Sequence, residues 1–176
     1  MTSNPGASIP YASTGTAIPA ALRFLPNWSV DGDDIKWEDT AKFVIPITGG
    51  RVIKVYDGDT ITVAAQLPYP DSDLYRFAVR LNGIDTPEMK GPGVSEDEKT
   101  AAKRAQQVLS EKILNRYVQL RNVDTEKYGR LLADVFLGDE CVNAFLIRER
   151  YALPYSGGTK QKPASWTKFH LTGSMD

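Results

Sequence analysis

Hydrophobic and polar residues alternate along the middle of the chain with the two-residue period typical of β-strands. Residues 42–48 are apolar and β-branched, with a proline at position 46 that suggests an edge, and a Gly-Gly pair follows them. The alternation resumes over residues 53–55 and 61–63, on either side of an Asp-Gly turn, and again over residues 76–82. We therefore expect strands in these segments, with Arg80 on the face opposite to the apolar side chains.

A capping-box signature, Ser95 followed by Glu98, precedes a stripe of apolar residues at helical spacing. This stripe predicts an amphipathic helix over residues 95–115, and its members are Ala102, Ala105, Leu109 and Ile113. Two further strands are predicted over residues 117–123 and 131–137, on either side of a turn-prone segment that contains a glycine.

A second amphipathic helix is predicted from Val142 to about Arg150, and the residues after it are predicted to be mostly loop. With the segments on either side of the Gly-Gly pair counted as one strand, the element order is three strands, a helix, two strands and a helix. This order is typical of a five-stranded barrel of the oligonucleotide-binding kind, with one helix between strands 3 and 4 and a second helix after strand 5.

Composition divides the chain into two parts. Residues 1–41 are rich in small and turn-forming residues and carry a net charge of −3, which predicts a partly flexible N-terminal tail or extension. Residues 42–176 carry a net charge of +2 and contain all the predicted barrel elements. The chain as a whole has a net charge of −1, which excludes a globally basic protein that wraps nucleic acid. The charge of the barrel alone is only slightly positive. Such a small charge limits the affinity for nucleic acid, but it does not exclude a reaction on nucleic acid.

Several classes of protein are excluded by composition. No apolar run approaches the length of a membrane span, and the N-terminus lacks the basic start and apolar stretch of a secretory signal, so we expect an intracellular or virion-associated protein. A single cysteine, Cys141, and a single histidine, His170, exclude disulfide frameworks and Cys- or His-rich zinc sites. We expect His170 to be a surface or tail residue. The chemistry must then rest mainly on carboxylates, arginines and hydroxyl groups.

Three short segments concentrate such side chains at predicted strand ends and turns. They are Val-Tyr-Asp-Gly-Asp-Thr at 55–60, Arg-Leu-Asn-Gly-Ile-Asp-Thr-Pro-Glu at 80–88, and Glu-Lys-Tyr-Gly-Arg at 126–130. Carboxylates without histidine or thiol ligands favour Ca²⁺ or Mg²⁺. Arginines beside them suggest a bound phosphate, because the guanidinium group matches phosphate oxygens. Metal, arginines and a carboxylate base together suit cleavage of a phosphodiester bond.

In order and separation, the three segments resemble the signature blocks of the staphylococcal nuclease (thermonuclease) family. The resemblance extends from about Gly50 to Tyr155. It implies a phosphodiesterase of the endonuclease type that depends on Ca²⁺ and acts on DNA, RNA or both. The loop over residues 89–95 departs from the family because it is short and contains one basic residue, Lys90. Binding to the nucleic-acid backbone is therefore expected to be weak or confined to a narrow strip.

The resemblance also implies a role for individual residues. Asp59 and Asp85 would be carboxylate ligands of one Ca²⁺, and Thr86 would add its backbone carbonyl. Glu88 would act as the general base or orient it. The remaining positions concern the substrate: Arg80 and Arg130 would clamp the scissile phosphate, and Lys127, Tyr128 and Tyr155 would contact the terminal phosphate and sugar. The implied reaction is attack of water on phosphorus with expulsion of the 5′ oxygen, which leaves a 3′-phosphate.

Other interpretations of the same residues remain open. Asp59 could be a turn residue, Asp85 could cap a helical turn, and Arg80 and Arg130 could be strand arginines that pair with acids. The chain could then be a non-catalytic barrel that binds nucleic acid or a protein. A further hypothesis makes residues 1–41 a segment that docks to another protein.

Overall fold

The computed structural model describes residues 35–126 and 128–176 of the chain. The residues that follow Lys42 form one compact unit, Phe43–Asp176. Within residues 35–42 there is one short 3-10 helix, Trp37–Asp39, at which the Asp39 carboxylate accepts a hydrogen bond from the backbone N–H of Lys36. Most of the predicted N-terminal tail lies outside the described residues, so the division between a tail and a barrel domain stays a prediction.

Five strands of the compact unit form a closed barrel. The described residues contain eight strands in all. In chain order they are β1 (Gly49–Val55), β2 (Thr60–Gln66), β3 (Leu74–Leu81), β4 (Ile84–Asp85), β5 (Tyr117–Thr125), β6 (Leu131–Leu137), β7 (Glu140–Cys141) and β8 (Leu153–Pro154). The barrel consists of β1, β2, β3, β5 and β6. Antiparallel pairs join β3 to β2, β2 to β1, β1 to β5 and β5 to β6. A parallel pairing between β3 and β6 closes the barrel. The predicted five-stranded barrel is therefore confirmed.

The described residues contain three α-helices: α1 (Glu96–Ile113), α2 (Val142–Arg148) and α3 (Trp166–Thr172). The first two are the predicted ones, between the third and fourth barrel strands and after the fifth. The predicted apolar stripe of α1 is buried. Its last two members, Leu109 and Ile113, belong to the barrel core, whose fully buried side chains include Val52, Ile61, Val79, Leu81, Val118 and Val135. None of the helices in the described part of the chain is long and apolar enough to cross a bilayer.

The start of α1 follows from its sequence. Ser95 Oγ accepts a hydrogen bond from the backbone N–H of Glu98, as the capping box predicts. Acidic residues occupy the first turn and Lys112 lies in the last turn, which suits the helix dipole at both ends. The Glu98 carboxylate, however, accepts a hydrogen bond from the backbone N–H of Glu88. The capping-box glutamate thus connects α1 to a predicted site residue.

The buried side chain of Asn143 connects α2 to the barrel. Its Oδ1 accepts a hydrogen bond from the backbone N–H of Val135 at 2.9 Å, and its Nδ2 donates to the carbonyl of Asn82 at 2.7 Å. Because these backbone groups lie on β6 and at the end of β3, one amide fixes the two strands whose parallel pairing closes the barrel.

Two secondary-structure predictions are wrong. Residues 42–48 form no strand, and β1 begins at the Gly-Gly pair that follows them. The glycines suit the strand because a Cβ at Gly50 would lie 2.6 Å from the backbone oxygen of Ala64 on β2. The predicted C-terminal loop contains α3, which Ser165 caps by accepting a hydrogen bond from the N–H of Lys168. Close backbone approach and capping geometry explain both differences.

The position of His170 also differs from the prediction. It lies in α3, where its ring packs on that of Tyr151 with the ring centroids 4.4 Å apart. Asp97 of α1 holds this helix, since its Oδ2 accepts a hydrogen bond from the N–H of Trp166 at 2.8 Å. The C-terminal residues are therefore packed against the rest of the compact unit.

Candidate active site

Closure of the barrel brings the three segments of interest to one end of it. Thr60, the first residue of β2, pairs with Arg80 on β3, and Arg80 pairs in turn with Leu132 on β6. Asp59 directly precedes β2, and Arg130 directly precedes β6. The strand register therefore places an aspartate and two arginines next to each other from three separate parts of the chain.

Asp59 is a buried carboxylate with a partner for each oxygen. Its Oδ1 accepts a hydrogen bond from the Thr60 hydroxyl at 2.9 Å, and its Oδ2 forms an ion pair with Arg80. The backbone N–H of Asp59 donates to Asp57 Oδ1 at 3.1 Å, so the aspartate of the Asp-Gly turn fixes the next carboxylate. Burial of these groups among polar partners is typical of a binding site.

The Arg80 guanidinium lies between two carboxylates. Besides its ion pair with Asp59, its Nη2 donates to the carbonyl of Ile84 at 3.1 Å and lies 3.6 Å from Asp85 Oδ1. Its side chain is only 14% exposed, so solvent screens these contacts weakly. Arg80 thus offsets the repulsion between two buried acids.

Asp85 is the most deeply buried acid at this end of the barrel, with 3% of its surface exposed. It ends the two-residue strand β4, which pairs with β8, so that Asp85 lies opposite Leu153. Its Oδ2 is buried and has no hydrogen-bond partner within residues 35–126 and 128–176. The following residue, Thr86, is also buried and faces Gly58 of the Asp-Gly turn.

These residues fit a hard divalent cation. Carboxylate and carbonyl oxygens are the ligands that Ca²⁺ prefers, and a buried carboxylate oxygen without a partner is an incomplete arrangement that a cation would complete. No group of three or more His, Cys, Asp or Glu side chains arranged for a metal is found within the described part of the chain. A metal here would therefore bind to two carboxylates, Asp59 and Asp85, with backbone carbonyl and water oxygens.

Glu88 is held through its backbone and faces the cleft with its side chain. Its N–H donates to Glu98 Oε1 at 3.2 Å, and its own Oε1 is 2.7 Å from Lys160 Nζ. The Glu88 side chain is 44% exposed, in contrast to the buried Asp85. An exposed carboxylate beside buried ones is suited to accept a proton from water.

Arg130 also lines the cleft. Its Nε forms an ion pair with Glu126, and its Nη1 donates to the Thr60 hydroxyl at 3.4 Å. A tight turn closes this segment, because the N–H of Glu126 donates to the Arg130 carbonyl and the N–H of Gly129 donates to the Glu126 carbonyl. The turn presents the guanidinium toward the same space as Arg80.

Seven of the nine predicted site residues line one cleft of about 410 Å³. They are Asp59, Arg80, Thr86, Glu88, Tyr128, Arg130 and Tyr155. Asp85 lies directly beneath, in contact with Arg80. The predicted substrate residue Lys127 lies outside the described residues. The structure therefore brings together all the predicted site residues that it describes, while the individual role of each stays a prediction.

The two predicted substrate tyrosines differ in their surroundings. Tyr128 is 73% exposed at the rim of the cleft. Tyr155 is fixed at both ends, because its N–H donates to the Gly83 carbonyl at 2.9 Å and its hydroxyl donates to the Gly158 carbonyl at 3.0 Å. The ring of Tyr128 is thus exposed at the rim, and the hydroxyl of Tyr155 is engaged by a backbone carbonyl.

Two ionisable groups in the cleft have shifted pKa values. Burial raises the pKa of Asp57, and the nearby Glu88 adds to this, against hydrogen bonds from Thr60 and the charge of Arg80, which lower it. Burial lowers the pKa of Lys160, but its contacts with Asp85 and Glu88 outweigh burial, so the pKa lies above its ordinary value. Lys160 is therefore a cation at neutral pH.

The structure also shows three residues in or next to the cleft whose role the sequence did not indicate. Lys160 contacts Asp85 and Glu88, Glu98 holds the backbone of Glu88, and Glu126 pairs with Arg130. Glu98 was recognisable only as a helix cap, and Glu126 only as a member of the third segment, without an assigned partner. No spacing rule connects Lys160 to carboxylates more than seventy residues before it.

A closed five-stranded barrel with carboxylates and arginines at one end defines a class of small barrel proteins suited to bind phosphate groups. The sequence profile described as "Staphylococcal nuclease homologue" matches residues 78–168, just over half of the chain. The chain belongs to this family. The matched region includes Arg80, Asp85, Glu88 and Arg130, and Asp59 precedes it.

Three curated proteins illustrate the similarity. A thermonuclease of Staphylococcus intermedius is 37% identical over 103 residues, which cover 57% of this chain and 56% of that protein. A thermonuclease of Staphylococcus hyicus is 36% identical over 104 residues, 58% of this chain and 56% of the relative. Protein ParB of Escherichia coli is 30% identical over 115 residues, 60% of this chain and 56% of the relative. The chain thus spans little more than half the length of these relatives.

Proposed function

We propose that this protein is a Ca²⁺-dependent nuclease that hydrolyses phosphodiester bonds of DNA, RNA or both. The observation that carries the proposal is the meeting of Arg80, Arg130 and Glu88 around one cleft, above two buried carboxylates. Membership of the nuclease family and the similarity to two thermonucleases support it.

In this proposal Asp59, Asp85 and the carbonyl of Thr86 hold the metal. Ca²⁺ bound there would polarise the scissile phosphate and lower the pKa of a coordinated water. With its two carboxylate partners neutralised, the Arg80 guanidinium is released to donate to a phosphate. The fit of the donor set rests on buried oxygens and on the unpartnered Oδ2 of Asp85.

Glu88 takes the proton of the attacking water, or orients that water, because its carboxylate is at the cleft surface. Arg80 and Arg130 stabilise the negative charge that develops on the phosphate oxygens. The P–O bond to the 5′ oxygen breaks as the bond from water to phosphorus forms. The departing 5′ oxygen takes up a proton from solvent, so the products are a 3′-phosphate and a 5′-hydroxyl. Lys127, Tyr128 and Tyr155 contact the terminal phosphate and the sugar of the substrate.

Cleavage of end-labelled single-stranded DNA and RNA of the same sequence tests the proposal. We expect products only with Ca²⁺, none with a chelator, and a loss of at least about 100-fold in rate for Arg130→Ala and for Glu88→Gln. Arg148→Ala is the matched control, since Arg148 is an exposed arginine that pairs with Glu140 outside the cleft. End-group analysis of the products should show 3′-phosphates.

Two results would count against this proposal. Cleavage that is equal with Ca²⁺ and with chelator, or equal in the two cleft variants and the control, would contradict the assigned roles. Tight binding of either nucleic acid without product after long incubation would favour the alternative, a non-catalytic barrel that binds nucleic acid or protein.

A further inference from the structure

A lysine from the C-terminal part of the chain lies among the proposed metal and base residues. Lys160 Nζ is 2.7 Å from Asp85 Oδ1 and 2.7 Å from Glu88 Oε1. Asp85 is almost fully buried, and Lys160 lines the cleft that leads to it. An external cation that binds Asp85 must therefore meet this ammonium group.

We propose that Lys160 is an intrinsic cation that competes with Ca²⁺ for Asp85 and Glu88, and so sets the metal affinity of the site. The inference rests on the proposed function, because it takes Asp85 as a Ca²⁺ ligand. Lys160 is here a positioning residue: it acts on metal binding through the carboxylate of Asp85 and on the base through the carboxylate of Glu88.

The local charges favour an exchange of cations. Three carboxylates, those of Asp59, Asp85 and Glu88, face two cationic side chains, Arg80 and Lys160. This group has one net negative charge while the ammonium is in place. Replacement of the ammonium by a divalent cation makes it neutral. A divalent cation bound to Asp85 Oδ2 would repel an ammonium group held 2.7 Å from Oδ1 of the same carboxylate.

The segment that carries Lys160 can release it without losing its other attachment. Residues 156–163, which we call the strap, include Gly157 and Gly158 near their start, both in the positive-φ region at +98° and +85°. Lys162 attaches the strap independently, because its Nζ donates to Glu98 Oε1 at 2.7 Å. Loss of the Lys160 contacts therefore leaves a second ion pair that keeps the strap at the edge of the cleft.

Calcium titration of the full-length protein by isothermal calorimetry tests this inference without any need for activity. We expect Lys160→Met to bind Ca²⁺ about tenfold more tightly than the unchanged protein, a modest effect because ion pairs of a partly exposed lysine are weak. Lys99→Met is the control, since it removes an equal charge from an exposed lysine that pairs only with Glu96 on α1 among the ion pairs of the structure. The control should leave the affinity unchanged.

The outcomes separate this inference from the proposed function. Measurable Ca²⁺ binding that is equal in Lys160→Met and in the unchanged protein overturns the competition and leaves the proposed function standing. Absence of binding in both proteins overturns the competition together with the Ca²⁺ site. Binding that appears only in Lys160→Met supports the competition in its strongest form.

A second measurement uses the unchanged protein, so it does not depend on a variant that folds. Acetylation of lysines by an amine-reactive ester at constant pH, read by mass spectrometry, reports which ammonium groups are engaged. We expect Ca²⁺ to raise the acetylation of Lys160 severalfold relative to that of Lys99, because the ammonium leaves its two carboxylates. A ratio that is unchanged or falls with Ca²⁺ would overturn the inference.

Discussion

Removal of the Arg80 cation is expected to destabilise the fold, because this residue separates two buried acids. In Arg80→Met the apolar length of the side chain is retained while the guanidinium is lost. Asp59 and Asp85, with side chains 9% and 4% exposed, then lose the cation between them. Removing one partner of a buried ion pair costs about 3–5 kcal/mol. Lys160 still contacts Asp85, so we expect the lower end, about 3 kcal/mol.

Urea unfolding followed by tryptophan fluorescence measures this loss, since Trp166 is buried with 3% of its surface exposed. An unchanged m-value would show that the free energy changed and not the extent of unfolding. For a folded unit of this size, 3 kcal/mol corresponds to a decrease in Tm of roughly 10 °C. If Ca²⁺ binds as proposed, it should raise the Tm of Arg80→Met more than that of the unchanged protein, since the ion replaces the missing charge.

Arg148→Met provides the comparison, because Arg148 forms only exposed ion pairs with Glu140 and Glu149 among those in the structure. We expect a much smaller loss from it, since surface ion pairs contribute little. Equal losses in Arg80→Met and Arg148→Met would refute the view that Arg80 is needed to hold two acids together at the end of the barrel.

Three further substitutions probe the elements that support the cleft. Asn143→Leu leaves the backbone N–H of Val135 without its acceptor and should cost about 1–3 kcal/mol in urea unfolding, whereas a loss below 0.5 kcal/mol, about the range of a surface change, would contradict this. Gly50→Ala should cost about 1–3 kcal/mol, because its Cβ would lie 2.6 Å from the Ala64 oxygen, and an unchanged Tm would show that β1 adjusts. Asp97→Asn should lower the free energy of unfolding by about 1 kcal/mol at neutral pH, because the hydrogen bond from the N–H of Trp166 in α3 becomes weaker. Hydrogen bonds, first that of the Thr167 side chain, lower the pKa of Asp97. The stability that the Asp97 carboxylate contributes is therefore present above its unfolded pKa near 4 and is lost as the pH falls through its lower pKa in the folded protein. A stability difference between Asp97→Asn and the unchanged protein that does not shrink at this low pH would contradict the assignment.

The elements predicted correctly are those with a clear period over several turns or residues. The stripe that ends at Ile113 predicted α1, and alternation predicted β6 with the observed bounds. The third helix was missed because its seven residues bury only Trp166 and Phe169, which is too short a pattern to identify a helix. Its stability comes from Asp97, a residue 69 positions earlier than Trp166, and this contact has no local signal.

The strand predicted over residues 42–48 shows the opposite error. Its apolar and β-branched composition satisfies strand propensity, and Ile47 is indeed buried. Yet the backbone N–H of Ile47 donates to the nearby carbonyl of Ile45, and the segment meets a neighbouring strand only at its last residue among those described, where the Thr48 carbonyl accepts a hydrogen bond from the N–H of Leu120 on β5. An apolar side chain can therefore be buried without being part of a strand. Strand propensity describes the side chain alone, whereas a strand forms only where the backbone pairs with that of a neighbouring strand.

For the cleft, the amino-acid sequence by itself determined the kinds of groups available and their places at strand ends. The Asp-Gly-Asp-Thr turn, Arg80 and Arg130 were identifiable because turns and strand parity are local properties. Tertiary structure alone decided which charges meet. Barrel closure by β3 and β6 places Arg80 near Arg130, and the pairing of β4 with β8 leads the chain back so that Lys160 reaches Asp85. Contacts between residues so distant in sequence arise from strand register and close packing, which no local period records.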